Sequence, residues 1–299
     1  MTIAPSLPRT ATARAAPGFA VFGHWNRGHA LRILALTLYT LVTVFPFYWM
    51  IITTFKTNSD LYNVDNNPLW FNAAPTLDNV TYLLEQTRFL TWMLNSLIIG
   101  VGVVIITLIT AVPAGYALAR LRLPGAEHMG IAIFATYLVP PTLLFIPLTR
   151  VVHTLGLQNT IWSLVLVLPT ISIPFSVWLL MGFFKNVSFE IEEAAWVDGA
   201  TRAQAVFHVI LPISRAGLAA AGMFAFAISL QAFLYPLVFT SSTAVKPVTL
   251  GVVTDLIRGD LFYWGSLMAG ALLAGLPVAI LFNYFLDDFV EGITAGSSK

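Results

Sequence analysis

The sequence predicts an all-α integral membrane protein: six transmembrane helices, with a cytoplasmic pair of short helices between the fourth and fifth. Three observations carry that prediction. Hydrophobic residues make up 58% of the 299-residue chain and charged residues 10%, with a mean hydropathy of +0.81, whereas soluble domains carry about 25% charged residues. Six apolar stretches each approach or exceed the ~20 residues a helix needs to cross the hydrocarbon core. A single charged island, residues 188–212 (SFEIEEAAWVDGATRAQAVFHVILP), divides the fourth stretch from the fifth.

Residues 1–30 are rich in Ala, Pro and Arg and lack an apolar core. They read as a flexible cytoplasmic tail rather than a cleaved signal, with a targeting role for Arg9 and Arg14 as the alternative. The membrane domain spans 31–290, with apolar stretches at 31–55, 89–119, 129–149, 161–184, 211–239 and 261–286. These are helices, because an open sheet edge would leave unpaired backbone groups in hydrocarbon. Besides Pro212 at the edge of the fifth, nine prolines fall inside them, and Pro140-Pro141 is expected to kink or break the third. Residues 291–299 form a polar C-terminal tail.

Orientation follows from Lys and Arg in the short loops. With the N-terminus inside, ten of them lie on the cytoplasmic side: Arg9, Arg14, Arg27, Arg32, Arg120, Arg122, Lys185, Arg202, Arg215 and Lys299. Five lie outside: Lys56, Arg88, Arg150, Lys246 and Arg258. Both termini and the 188–212 island are therefore assigned to the cytoplasm. Two external loops, 56–88 and 241–263, are longer than simple connectors. They either meet an extracytoplasmic partner or pack over the helix ends.

Within the island, Glu190, Glu192 and Glu193 crowd the first turn of a helix, where negative charge suits the dipole, and Ser188 is placed to cap it. Asp198-Gly199 ends that helix, since Gly199 tolerates positive φ. Thr201-Arg202-Ala203-Gln204 has the pattern of a capping box that starts a second short helix, running to Leu211-Pro212. Two short helices hinged at a glycine and held at a membrane surface form a docking knob.

Several chemistries find no support. Apart from Arg32 and Arg215 near span ends, no Asp, Glu, Lys, Arg or His lies within the six stretches, so the mid-membrane ionisable group of proton-coupled carriers is missing. Neither HExxH nor GxxxxGK[ST] occurs, and the chain has no cysteine. A net charge of +1 offers no concentrated basic face for nucleic acid. No metal site or bound cofactor is predicted. Uncharged polar residues in mid-span, Asn95, Ser229, Gln231, Tyr235 and Asn283, are candidates for the wall of a path. The alternative for each is a bond across helices, worth an average of ~0.6 kcal/mol. Gln231 and Tyr235, one helical turn apart, are the favoured pair.

The island also has a known spacing. Glu193-Ala194-Ala195, then Gly199, then Val209-Ile210-Leu211-Pro212 resembles the EAA loop of ABC-importer permease subunits. The chain is similar to the maltose-type, carbohydrate-uptake branch from about residue 31 to the end. FPFYWM at 45–50, Asn95-Ser96, YALARLRLPG at 116–125, LGLQNT at 155–160, GFF at 182–184, YWG at 263–265 and FVEGITAG at 289–296 follow in that family's order. The resemblance implies ATPase coupling through Glu192, Glu193, Ala194, Ala195, Asp198, Gly199, Ala200, Leu211 and Pro212. It implies a second homologous permease and two ATP-binding subunits, which would hold ATP and Mg. It further implies an extracytoplasmic solute-binding protein, a bacterial or archaeal inner membrane, and a sugar or oligosaccharide as substrate.

Two departures stand out. Ser188 replaces the family's usual proline, and Leu230-Gln231-Ala232-Phe233 replaces a Trp-Asn-acid-aromatic run. Glycerol-phosphate or polyol uptake is the alternative within the family. An ion-coupled carrier using backbone carbonyls and a membrane scaffold are the alternatives outside it.

Overall fold

A computed structural model of the protein describes residues 27–295. The predicted flexible tail therefore lies outside the described residues up to position 26, as do the last four residues of the C-terminal tail. The chain divides into two compact units, one ending at Phe47 and one beginning at Tyr48. The first helix, α1 (Arg27–Phe55), starts four residues before the predicted span and crosses that boundary. Between Arg32 and Phe47 it carries no charged residue on any side, as a span in lipid requires. Its hydroxyls at Thr40 and Thr43 donate to the carbonyls of Leu36 and Tyr39, so neither is left unpaired.

From Tyr48 onward the elements are α2 (Asn58–Tyr62), α3 (Asp78–Gln86), α4 (Phe89–Arg120), α5 (Ala126–Tyr137), α6 (Pro141–Thr154), α7 (Ile161–Val167) and α8 (Pro169–Asn186). The 188–212 island then forms α9 (Phe189–Val197) and α10 (Arg202–Ala205), a π-helical turn (Val206–Ile210) and α11 (Leu211–Ile213). The chain ends with α12 (Arg215–Gln231), α13 (Leu234–Phe239), α14 (Val248–Leu256), a two-stranded hairpin of β1 (Ile257–Arg258) and β2 (Leu261–Phe262), and α15 (Trp264–Ala295). The hairpin qualifies the all-α expectation, and α15 absorbs residues 291–295, which were predicted as tail.

Among the described residues, four helices are long and apolar enough to cross a membrane: α1 from Ala30, α4, the α7–α8 run and α15. Two further candidates are bent pairs. Between α5 and α6 the chain turns by 90°, because Pro141 has no N–H and its ring clashes with the carbonyl of Tyr137, four residues back. The predicted third span is thus two halves. The predicted fifth span is divided twice. A 79° bend separates α10–α11 from α12, where Pro212 follows the widened π turn and Ser214 leaves the helical region (φ −91°, ψ 18°). The second break is at Ala232, which turns extended at ψ 127°. Pro236 stands four residues beyond it and makes the same clash, and the freed Ala232 carbonyl accepts from Thr249 Oγ1 at 2.9 Å.

The core is organised along α4. Phe89 and Trp92 belong to a cluster with Leu83, Val248, Leu256 and Ala269 at one end. Ile99 and Val103 join Leu164, Leu168, Ala225 and Tyr235 in the middle. Ala111, Tyr116 and Leu118 pack with Val177, Leu180, Phe184 and Ile210 at the end nearest the island. The α4–α8 contact is the most extensive helix pairing. Close approach depends on small residues, as it must where lipid supplies no hydrophobic drive. A Cβ on Gly100 would stand 2.6 Å from Phe226, and one on Gly102 2.8 Å from Val165. Thr107 and Ser172 share a buried hydroxyl bond of 2.7 Å.

Far from the island, the 56–88 loop folds around a buried carboxylate. Asp60 accepts from Asn66 Nδ2 (2.9 Å), Asn72 Nδ2 (2.7 Å) and the Asn72 amide (3.1 Å), with the Lys56 ammonium 3.6 Å away. Burial opposes its charge, yet the Asn72 and Asn66 bonds and Lys56 together prevail and hold its carboxyl below the usual carboxylate range. The 241–263 loop is also no simple connector, because α14 buries Val248, Leu250 and Leu256 in the core. Both loops pack over the helix ends.

A folded carboxyl held below its unfolded pKa contributes stability that is present above that pKa and lost as pH falls through the folded one. The Asp60 contribution should therefore hold from neutral pH down to about 4 and vanish below it. Asp60→Asn should lower stability by roughly 1–3 kcal/mol at pH 7 and flatten the acid limb. Thermal unfolding of the purified protein across pH checks both.

Candidate functional site

The 188–212 island folds as a helix pair. Ser188 sits at the N-cap position of α9 but makes no side-chain cap bond, so the expected cap is absent and the Glu190 and Glu192 charges in the first turn remain the favourable term there. At the other end the break is complete. Gly199 adopts φ +91°, Ala200 N–H donates to Ala195 O and Gly199 N–H to Trp196 O, both at 3.0 Å. That is a Schellman ending, which needs a residue free to take positive φ. Thr201 then opens α10 with a reciprocal capping box: Gln204 N–H donates to Thr201 Oγ1 at 3.3 Å and Thr201 N–H to Gln204 Oε1 at 2.8 Å.

The predicted coupling residues separate into two faces. Glu193, Ala194, Asp198 and Gly199 are exposed, beside Val197, which is 87% exposed. Ala195, Ala200 and Leu211 are half-buried, and Pro212 lies exposed at the start of α11. Glu192 points the other way and is only 1% exposed. Its Oε1 accepts from the Tyr116 hydroxyl, and its Oε2 lies 3.6 Å from Arg120 Nε. Arg120 Nη2 also donates to Val187 O at 2.6 Å. Around this centre the Arg120 and Arg122 guanidinium groups stand 5.8 and 5.7 Å from the Phe189 ring, and that of Arg202 stands 5.1 Å from Trp196. Sequence reasoning gave Tyr116 and Arg120 no place in the site. The available signal was their i,i+4 spacing on the last turn of a span, which puts phenol and guanidinium on one face.

The candidate path residues do not converge. Asn95 Nδ2 donates to Ala244 O (2.8 Å) and Lys246 O (3.0 Å), fastening the 241–263 loop to α4. Ser229 bonds its own helix at Phe226 O, and the buried Tyr235 donates to Pro141 O at 3.0 Å. Asn283 is exposed on α15. The favoured Gln231–Tyr235 pairing fails because the helix ends between them at Ala232. Gln231 alone of the five lines a cavity of about 340 Å³, between α12, α14 and α15, shared with Thr249, Val252, Gly270 and Ala274. Among the described residues, no charged side chain lines it.

No protein-family model matches the chain. Among curated proteins, it is 34% identical to the diacetylchitobiose uptake system permease protein DasC of Streptomyces coelicolor, over 86% of this chain and 92% of that one. The chain belongs to the carbohydrate-uptake family of ABC-importer permease subunits. It is also 31% identical to the sulfoquinovosyl glycerol transport system permease protein SmoH of Agrobacterium fabrum, over 96% of this chain and 99% of that one. Among solved structures, a bacterial ABC transporter involved in the import of the acidic polysaccharide alginate matches with a TM-score of 0.77 at 18% identity. That match covers 90% of this chain and 100% of the other, and it shows the permease fold. As a permease subunit the chain is a membrane-embedded transport component of an ABC importer system.

The loop geometry makes a local prediction. Thr201→Ala removes half of the capping box and should destabilise α10 by about 1 kcal/mol. Amide exchange at Gln204 should then quicken about fivefold, while exchange within α4 stays unchanged. Hydrogen–deuterium exchange on the purified permease reads this directly.

Proposed function

We propose that this permease translocates a sugar or oligosaccharide that an extracytoplasmic solute-binding protein delivers. It pairs with a second homologous permease, and two separate ATP-binding subunits, carrying ATP and Mg, dock from the cytoplasm. The chain crosses the membrane six times, each bent pair counting as one span, with both termini and the 188–212 loop inside. One observation carries the docking role. The loop is a folded helix pair whose Glu193, Ala194, Val197 and Asp198 face outward, beside a glycine in the left-handed region. An acidic, small-residue and apolar surface of this kind suits a cleft on a partner protein, and no tightly packed connector would need it.

ATP binding closes the ATPase pair, the loop moves with it, and the spans swing from inward-open to outward-open. This chain performs no bond chemistry. The sugar assignment draws on the names of the relatives and on the uncharged cavity at Gln231, where an amide and the Thr249 side chain stand among aliphatic walls. A neutral polyhydroxyl solute suits such a lining, whereas glycerol-phosphate would call for a cationic group there.

Co-purification of the tagged chain tests the docking role, using the intact loop, Gly199→Pro and Glu193→Lys. The intact chain should bring an ATPase subunit whose hydrolysis rises with sugar-loaded binding protein, and a panel of sugars then identifies the substrate. Both variants should lose the subunit or its stimulation. If no ATPase ever associates and the variants take up solute normally, the docking role is wrong and an ion-coupled carrier takes its place.

A further inference from the structure

The loop's two neighbouring glutamates have opposite fates, and the buried one is tied to a helix whose other end meets residues 243–248. Successive residues on a helix are about 100° apart, so Glu192 and Glu193 cannot serve the same face. A carboxylate as buried as Glu192 is costly unless it is paired and hydrogen-bonded. Here the pairing comes from the last turn of α4, through Tyr116 and Arg120. Arg120 also holds Val187, the residue just before the loop begins. The site is not fully satisfied: Arg120 Nε and Glu192 Oε2 face each other at 3.6 Å, and neither has a hydrogen-bond partner.

At its other end α4 grips a second segment just as specifically. Trp92 Nε1 donates to Thr243 O at 2.8 Å, and Asn95 holds Ala244 and Lys246. Ser96 Oγ accepts from the Val248 amide at 2.8 Å, at the start of α14. Gly251 lies so close that a Cβ there would stand 2.3 Å from the Trp92 ring. α14 forms one wall of the Gln231 cavity and leads into the β1–β2 hairpin. Between Trp92 and Tyr116 lies roughly 36 Å of helix at 1.5 Å per residue, packed into all three core clusters.

We propose that Tyr116, Glu192 and Arg120 form a buried latch that makes α4 the rod between the 188–212 loop and residues 243–256. Glu192 positions the loop on the spans, and Glu193 is left free for the ATPase. The under-bonded Arg120–Glu192 contact gives the latch room to tighten in a second conformation, as an element with two arrangements must. Displacement of the loop is then felt at the wall of the Gln231 cavity, through α4 and α14. This inference rests on the docking role proposed above.

Its test uses the assembled importer in lipid nanodiscs and the isosteric variants Glu192→Gln and Tyr116→Phe, whose shape keeps the core filled. Because the chain has no cysteine, Leu261→Cys in the exposed hairpin carries a single spin label. In the otherwise unaltered permease the label's mobility should change when ATP is added. In both variants the ATPase should still co-purify through the Glu193 face, but the ATP-dependent change at position 261 should disappear. Solute transported per ATP hydrolysed should fall roughly tenfold. A label that follows ATP in the variants as it does in the parent overturns the latch. Loss of the ATPase from the variants also overturns it, because Glu192 would then be part of the docking surface. Absence of the ATPase from the parent itself strikes the docking role instead, and co-purification reads that outcome separately.

Discussion

Everything in this chain follows from the need to satisfy backbone polar groups where no water is available. That need imposes helices, and it also governs where helices can stop. Each proline in a span frees a carbonyl, and the freed group has to find another donor. Ala232 finds Thr249 across the α12–α14 boundary, and at the other break the Tyr235 hydroxyl adds a bond to the carbonyl of Pro141, which opens α6. The breaks in the third and fifth candidate spans are therefore also junctions between elements. Helix association obeys the same constraint in another form, because lipid tails offer no hydrophobic reward for pairing. Contact has to come from close approach, and α4 achieves it by presenting Gly100, Gly102 and Gly115 to Phe226, Val165 and the Leu180–Met181 turn.

Charge is confined to the two ends of this arrangement, and both ends use it in the same way. At one, Asp60 is enclosed by Asn66, Asn72 and Lys56; at the other, Glu192 is enclosed by Tyr116 and Arg120. In each case a buried carboxylate gathers donors from segments far apart in sequence. Such groups add little net stability compared with an apolar core of the same shape, but they fix position, since only one arrangement satisfies them. The two differ in completeness. Asp60 has three hydrogen bonds and a cation, whereas the Glu192–Arg120 contact leaves two buried polar atoms unpaired. A fully bonded knot suits a loop that has to stay put, and an incompletely bonded one suits a joint that moves.

Much of this was legible in the sequence. The apolar lengths gave the helical membrane class, and Gly199 with the Thr201–Gln204 pattern gave the helix–turn–helix of the loop. Those signals are local, resting on a few neighbouring residues each. The signals that failed depend on what lies across space. Pro236 was visible as a proline in a span, but whether it kinks or ends the helix depends on whether Thr249 is there to take the Ala232 carbonyl. Gln231 and Tyr235 were consequently paired on a face that does not exist. Likewise Glu192 and Glu193 are equivalent in composition and adjacent in sequence. Only the approach of α4 decides which one turns inward. Asn95 carried two readings, and its bonds to Ala244 and Lys246 make it part of the fastening between α4 and the outer loop.

The departure at 230–233 gains a physical meaning from the same geometry. An acid in that run would fall at the very point where α12 ends and the chain turns extended, next to a carbonyl already engaged by Thr249. The Ala232 position is half-buried, and the cavity beside the neighbouring Gln231 carries no cation among its lining residues, so a carboxylate there would be poorly compensated. The neutral Leu230-Gln231-Ala232-Phe233 run avoids that cost and leaves one amide facing open space. Were this cavity the solute path, specificity from so few polar groups would come mainly from shape, from the small residues Gly270, Ala271, Ala274 and Gly275 that share its lining with Gln231. An amide that a solute must bond to rejects one that cannot far more strongly than an aliphatic wall rejects one methylene too many. On the proposed transport role, Gln231 is where this subunit would exert its own discrimination, and the walls around it would set the size of what passes.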